Sequence, residues 1–328
     1  MLVAARAAAT PQEHHILDSH FIALQSRIAI MSPMAPSNPP KSRLMLYSEL
    51  PHWLQDNPFI TSHYRPPSYS FKKCIASIWT LHNETVNVHT HMWGALAVVL
   101  GAFPVYQALS TRHASFTWQD TLAFGTWYIC AFACLGLSAA YHALCNYSPN
   151  VSAFSQKLDH LGIVVMTCGS FLSMIYYGWY CEPEHAYVFA GMITTLSIAC
   201  AALSLNPKTR TPAWRPYRAV MFTALGMSAL IPITSGLLLH GIQGMNQRIT
   251  LFPWLGIEFG CYLTGAILYA RLQTRFPERI SPGKFDVFGS SHQIFHVLIV
   301  CAAASHFKGL IMTFDWNHRL GTCADRMT

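Results

Sequence analysis

Residues 121–156, TLAFGTWYICAFACLGLSAAYHALCNYSPNVSAFSQ, contain no Asp, Glu, Lys or Arg. A helix crosses a hydrocarbon core of ~30 Å in about 20 residues, so this run exceeds one crossing. The surplus is the polar loop Asn146-Tyr147-Ser148-Pro149-Asn150. Outward from it, the runs 85–111, 160–181, 185–207, 219–247 and 287–307 also lack those four residue types, and 249–270 holds one, Glu258. The pattern predicts an all-α integral membrane bundle of seven helices, at about 89–109, 121–145, 159–180, 185–205, 217–240, 250–270 and 291–313.

Composition agrees. Of 328 residues, 52% are hydrophobic and 11% charged, against roughly a quarter charged in soluble domains. Mean hydropathy is +0.29. A disordered chain and a nucleic-acid binder are excluded, and no loop between spans is long enough for a second domain. Residues 1–46, punctuated by Pro33, Pro36, Pro39 and Pro40, read as a disordered tail. Their apolar start is short, interrupted by Arg6 and without a basic leader, which argues against a signal peptide. Residues 47–88 mix Trp53, Phe59, Tyr64 and Trp79 with charges and predict an amphipathic juxtamembrane helix on the inner membrane surface. Residues 89–314 form the membrane domain and 315–328 a short outer tail.

Lys and Arg are distributed unevenly. The segments on the N-terminal side (65–88, 146–157, 206–216 and 271–290) hold eleven, and the opposite set (110–120, 181–184, 241–249 and 315 onward) holds four. This bias predicts a cytoplasmic N-terminus and a C-terminus outside, the reverse of a G-protein-coupled receptor. The net charge of +7 reads as attraction to anionic inner-leaflet lipid. The ten cysteines, mostly within the spans and without a CxxC pair, read as small apolar fillers. Cys181 and Cys323 both fall on the outer side, where they can pair.

The informative residues are those a bilayer should exclude, because an ionisable group buried there is costly without a partner. His142 lies in the last turn of the second span, Asp159 opens the third, and His292 and His296 occupy the first two turns of the seventh. Spans of alternating direction bring all four to one depth near the cytoplasmic end. His292 and His296, four apart, share a helix face, as do Ser138 and His142. Three imidazoles at one level match the ligand set of a catalytic zinc site with an open fourth position. Zinc lowers the pKa of its water to ~7. Asp159 is then placed to accept or hold that water's proton, and Ser138 to polarise a substrate, having no evident base beside it. The plainer reading is that an HxxxH on a helix is a weak signal and that a histidine at a helix end is more often interfacial. The coincidence of three His and one Asp at one depth favours the metal. His82, His89 and His91 read as interfacial or structural, and His240 and His306 as lacking neighbours. His160 points about 100° from Asp159, and Glu258 is a polar helix contact without assigned chemistry.

The stretches SIWTLHNETVNVHTHMWG (77–94), SAAYHALCNYSP (138–149), KLDHLGI (157–163) and PGKFDVFGSSHQIFHVLIV (282–300) resemble the signature of the progestin and adipoQ receptor family. That family includes adiponectin receptors, fungal zinc-homeostasis receptor-like proteins and haemolysin III-related proteins. ELPHWLQDNPFITSHYRP (49–66) is similar to the segment before the first helix, so the resemblance runs from about Tyr47 to Phe314. It implies seven helices with a cytoplasmic N-terminus and zinc held by His142, His292 and His296, with Asp159 on the metal-bound water and Ser138 nearby. The wider superfamily includes alkaline ceramidases, which implies hydrolysis of a lipid amide. His63, His89, His160 and extra residues within 271–275 depart from the pattern without touching the expected ligands.

Three functions are weighed. The leading one is a receptor-like protein with zinc-dependent hydrolase capacity, its partners being membrane lipid, a ceramide-like substrate or free fatty acid, and an unspecified extracellular ligand. The second is a receptor or zinc-homeostasis regulator with structural zinc and negligible turnover. A channel or pump ranks last, because Lys308 reads as a snorkelling side chain and no charged path lines the other spans. The expected location is the plasma membrane or an endomembrane such as the endoplasmic reticulum.

Overall fold

The structure, a computed structural model, describes residues 43–210, 212–270, 275–320 and 323. Most of the expected N-terminal tail, and the insertion within 271–275 apart from Arg275, lie outside those residues. Nine α-helices are found among the described residues: α1 (Phe71–Ser77), α2 (Thr85–Ser110), α3 (Trp118–Leu144), α4 (Pro149–Gly178), α5 (Pro183–Leu205), α6 (Arg215–Met227), α7 (Leu230–Ile249), α8 (Gly256–Ala270) and α9 (Ser291–Arg319). They build seven segments long and apolar enough to cross a membrane, and no strand occurs among the described residues. The all-α bundle therefore matches the expectation, and the differences lie at particular ends.

The third crossing starts at Pro149 rather than near 159. Ser148 takes the Val151 N–H on its hydroxyl and Pro149 supplies a preset φ at the first helical position. A charge-free window could not see this start, because Lys157 and Asp159 lie inside the helix. Asp159 therefore does not open that span but sits about three turns into it. The fifth crossing is two helices, α6 and α7, broken at Ser228–Ala229. Pro232 cannot donate to the carbonyl four residues back, which removes a bond at the break. The sixth begins with a π-turn over Leu251–Leu255. The seventh continues to Arg319, so residues 315–319 of the expected outer tail are helical.

The largest correction is in 47–88. Instead of one amphipathic helix, two single-turn 3₁₀ helices (Tyr47–Glu49 and His52–Leu54) precede extended chain and the short α1. Met45 pairs with Tyr64 in an antiparallel bridge, so the cap already begins within the stretch read as tail. Pro51, Pro58, Pro66 and Pro67 interrupt any longer helix here. Leu50, Ile60 and Tyr64 form a small core within this cap. The cap is clamped to the segment before α9: Asp286 accepts from Thr61 N–H (2.8 Å), Thr61 Oγ1 (3.0 Å) and Ser62 Oγ (2.6 Å).

In the bundle, α3 and α4 approach closely through glycine. A Cβ at Gly162 would stand 3.0 Å from the Cys134 Cα, and one at Gly169 would overlap Cys130. The main apolar core, with Phe124, Trp127, Tyr177 and Phe314, fills the half away from His142. Cys181, just past α4, and Cys323, beyond α9, form a disulfide at that same end. Beside it Glu182 accepts from Arg248 at 2.9 Å and lies 3.5 Å from His240. His240 is thus not without a neighbour.

Candidate metal centre

The end of α3 carries His142, and the first two turns of α9 carry His292 and His296. The Nε2 atoms of His142 and His292 are 3.4 Å apart, and those of His292 and His296 are 3.3 Å apart. All three residues offer a ring nitrogen to a common point, with ligand atoms within 4.8 Å of one another. His142 and His296 are buried and His292 is half-buried. Three nitrogen lone pairs facing one another this closely repel unless a proton or a cation lies between them, so the group can hold a metal ion.

Glu84, at the N-terminal boundary of α2, organises this group although the sequence reading gave it no role. Its Oε2 accepts from His142 Nδ1 at 2.7 Å and from Asn87 Nδ2 at 2.6 Å, and its Oε1 accepts from Asn83 Nδ2 at 3.2 Å. A carboxylate on Nδ1 fixes the proton there and leaves the Nε2 lone pair pointing to the other two histidines. Burial pushes the Glu84 carboxyl up, but the facing His142 and the Asn87 amide more than offset it and hold it below the usual carboxylate range. His82 supports Glu84 in turn. Its Nδ1 accepts the Glu84 N–H at 3.1 Å, and its Nε2 donates to the Ser77 carbonyl at 3.1 Å. Those partners define the neutral tautomer. Burial first, then the Arg65 charge, push the His82 pKa down to about 3.

Arg65, one of the basic residues of the 65–88 segment, is 5% exposed. It donates to the carbonyls of His142 and Ala143, the latter at 3.0 Å, and to Ser77 Oγ at 2.9 Å. Carbonyls in the last turn of a helix lack intrahelical donors and favour a cation, so Arg65 caps α3 where it delivers His142. At the start of α9, Glu278 accepts from the Ser291 N–H (2.8 Å) and hydroxyl (2.6 Å). Gln293 donates to the Asn83 and Val287 carbonyls at 3.1 and 2.8 Å. The Gln of the HQIFH stretch thus ties the two histidines of α9 to the Glu84 segment.

His91, read as interfacial or structural, is buried with its ring stacked 3.9 Å from that of His296. The nearby His89 faces the cap instead: its Nε2 donates to the Ile78 carbonyl at 2.8 Å, its Nδ1 accepts from Trp93 Nε1 at 3.2 Å, and its ring lies between Trp79 and Trp93. Ser138 is buried one turn before His142, and Asp159 is half-buried on α4. Both line, with the three histidines, a cavity of about 750 Å³ that opens under the cap and runs down to Ile249.

Seven membrane-length helices define a multi-pass integral membrane protein, with a trihistidine group that could hold a metal at one end of an apolar cavity inside the bundle. Residues 79–307 match the family model described as haemolysin-III related, and the chain belongs to that family. It is 39% identical over 279 residues to the ADIPOR-like receptor IZH2 of Saccharomyces cerevisiae, covering 84% of this chain and 86% of the relative. It is 38% identical over 264 residues to the adiponectin receptor protein of Drosophila melanogaster, covering 80% of this chain and 58% of that protein. Heptahelical transmembrane protein 3 of Arabidopsis thaliana is 32% identical over 319 residues, with 86% and 90% covered. The chain therefore spans most of the yeast and plant relatives and less than two thirds of the fly receptor. It is an adiponectin-receptor-like seven-helix membrane protein.

Proposed function

We propose that this membrane protein is a zinc-dependent hydrolase of a ceramide-like lipid amide, acting in lipid signalling or metabolism. The trihistidine group at the head of the cavity carries the reading. Four donors at ~2.0–2.1 Å from zinc in a tetrahedron stand about 3.4 Å apart, and the Nε2 separations are 3.3 and 3.4 Å. Three protein nitrogens leave a fourth position for chemistry, whereas structural zinc sites are closed by four protein ligands. When bound, zinc would polarise the amide carbonyl and acidify water.

The chain's own residues supply the rest. Glu84 holds His142 in the tautomer that presents Nε2. The carboxylate of Asp159 takes a proton from the attacking water as the C–O bond forms and passes it to the amide nitrogen as the C–N bond then breaks, so the products are the free amine and the carboxylic acid. The Ser138 hydroxyl donates to the amide carbonyl oxygen. The hydrocarbon chains lie in the apolar part of the cavity, and cap residues such as Trp53 and Ile60 cover its head.

We also infer a cytoplasmic N-terminus and an outer C-terminus, in the plasma membrane or an endomembrane. The eleven-to-four Lys/Arg asymmetry supports this. The Cys181–Cys323 disulfide supports it independently, since disulfides persist in oxidising compartments and it lies at the end away from the histidines.

The second reading is a receptor in which zinc is structural, favoured by the yeast and fly relatives' names as receptors. Detergent-purified protein assayed for metal content and for release of fatty acid from ceramide separates the two. Hydrolysis by the parent, lost in Asp159→Asn with zinc retained, supports the hydrolase. Zinc in both with no turnover of any lipid amide leaves the receptor.

A further inference from the structure

His306 on α9 and Glu258 on α8 form a second buried polar centre, at the deep end of the same cavity. The His306 Nδ1 lies 2.9 Å from Glu258 Oε2. The residues are 3% and 8% exposed. Both line the cavity, beside Met174, Met245, Ile249 and Leu255 of the apolar core cluster. Hydrogen bonding is incomplete. The carboxylate facing Nδ1 fixes a proton on that nitrogen, and His306 Nε2 is buried with no partner among the described residues. Glu258 Oε1 accepts no hydrogen bond from any described residue, although a carboxylate takes several. A half-satisfied hydrogen-bonded pair against an apolar wall is costly compared with the Leu or Phe that would fill the same space.

Ten residues of α9 separate His296 from His306, which is ~15 Å along the axis, or about a dozen methylenes of an extended chain. From these observations we propose that the Glu258–His306 pair is a recognition site for a hydroxyl group carried mid-chain by the lipid whose reacting end sits at the histidines. The hydroxyl donates to Glu258 Oε1, supplying the donor the carboxylate lacks, and a small shift of its oxygen brings it against the imidazole. A plain hydrocarbon chain would pass the pair without satisfying it and would pay for stripping its water. The inference rests on the lipid-amide reading above, since that reading puts a chain in the cavity. It makes the floor of the cavity a gauge of where the chain carries oxygen.

The test uses the full-length protein in nanodiscs and displacement of a bound fluorescent fatty acid. The competitors are stearate and a series of hydroxystearates whose hydroxyl moves from the carbon beside the carboxylate to mid-chain and on to the terminus. The parent should bind the mid-chain isomer about tenfold more tightly than stearate, as befits one hydrogen bond to a charged group. The isomer with its hydroxyl beside the carboxylate should gain nothing. In a protein carrying both Glu258→Leu and His306→Phe, the mid-chain advantage should vanish while stearate affinity holds or rises. A flat positional profile in the parent overturns the proposal without needing any variant, and reduces the pair to a clamp between α8 and α9. An advantage that survives the double substitution overturns it too. Failure of every chain to displace the probe would instead strike the lipid reading on which the proposal stands.

Discussion

Glu84 accepts a hydrogen bond from His142 and so decides which nitrogen of that imidazole is available. Replacing a carboxylate behind a metal-binding imidazole typically costs 10–100-fold in affinity or activity. Glu84→Gln, which keeps an acceptor but loses the charge, should weaken zinc binding about tenfold, and Glu84→Ala about a hundredfold, measured by competition with a chromophoric chelator. His292→Ala should lose the metal outright, whereas Asp159→Asn should keep it. Equal affinity in Glu84→Ala and the parent would show that His142 needs no orientation. His82 adds a pH dependence. Its pKa is pushed down to about 3 in the folded protein, against ~6.5 in an unfolded chain. A lowered histidine pKa means that the unfolded state binds the proton first, so this contribution is complete above pH ~6.5 and is lost as pH falls from there toward 3. Thermal melts in detergent should therefore show a falling midpoint from pH 7.5 to pH 5. In His82→Asn, whose amide oxygen can still take the Glu84 N–H, the decline should be shallower, and an identical slope would remove His82 from the account. The three metal-binding candidates were legible in sequence because their helix and depth are set by hydrophobic runs. Glu84, His82 and Arg65 were not, because each acts across a turn whose path the sequence leaves open.

At the scale of elements, α4 shows what hydropathy reads well and what it misses. Length and apolarity identified seven crossings, but the start of α4 was placed about ten residues late, since charge inside a helix facing a cavity looks the same as charge in a loop. The break between α6 and α7 escaped for a similar reason: Pro232 is compatible with either a kink or a stop until the packing chooses. The cap failed furthest, because aromatic residues scattered among charges fit an amphipathic helix as well as an irregular fold. What holds α4 in place is its contact with α3. An added Cβ at Gly162 meets the Cys134 Cα at 3.0 Å, and one at Gly169 meets the Cys130 Cβ at 2.7 Å, so both neighbours are atoms whose place the backbone fixes. Gly162→Val should cost ~1–3 kcal/mol as overpacking and should move Asp159, three residues earlier, away from Ser138. Gly169→Ala, with a closer contact at Cys130, should destabilise as well. The check is the unfolding midpoint of each variant together with its zinc content: the three proposed metal ligands lie on α3 and α9, so a displaced α4 should lower stability and turnover while leaving zinc bound. Loss of zinc in Gly162→Val would mean that α4 also supports the trihistidine group.

The whole molecule is polarised along its axis. One end holds the cap, the Glu84–His142 pair and the open cavity, and the other holds the packed aromatic core, the Glu182–Arg248 pair and the disulfide. Lys and Arg concentrate in the segments at the first end, and the only cystine among the described residues sits at the second. A membrane separates a reducing cytoplasm from an oxidising exterior or lumen, and it also attracts basic loops to its cytoplasmic face. These two criteria have unrelated physical origins, and both orient the molecule the same way. The expected result in sealed cells or vesicles is an N-terminal tag protected from added protease and a C-terminal tag cleaved by it. An impermeant reductant should then open Cys181–Cys323 and make both residues reactive toward an impermeant maleimide added from the same side, with no change in zinc content, because the metal group lies at the far end of the bundle. Labelling that requires permeabilised membranes, combined with a protected C-terminus, would invert the topology and place the cavity mouth on the outer side. Labelling from outside that also released zinc would show the two ends to be mechanically coupled, with the disulfide holding α9 in the position that presents His292 and His296.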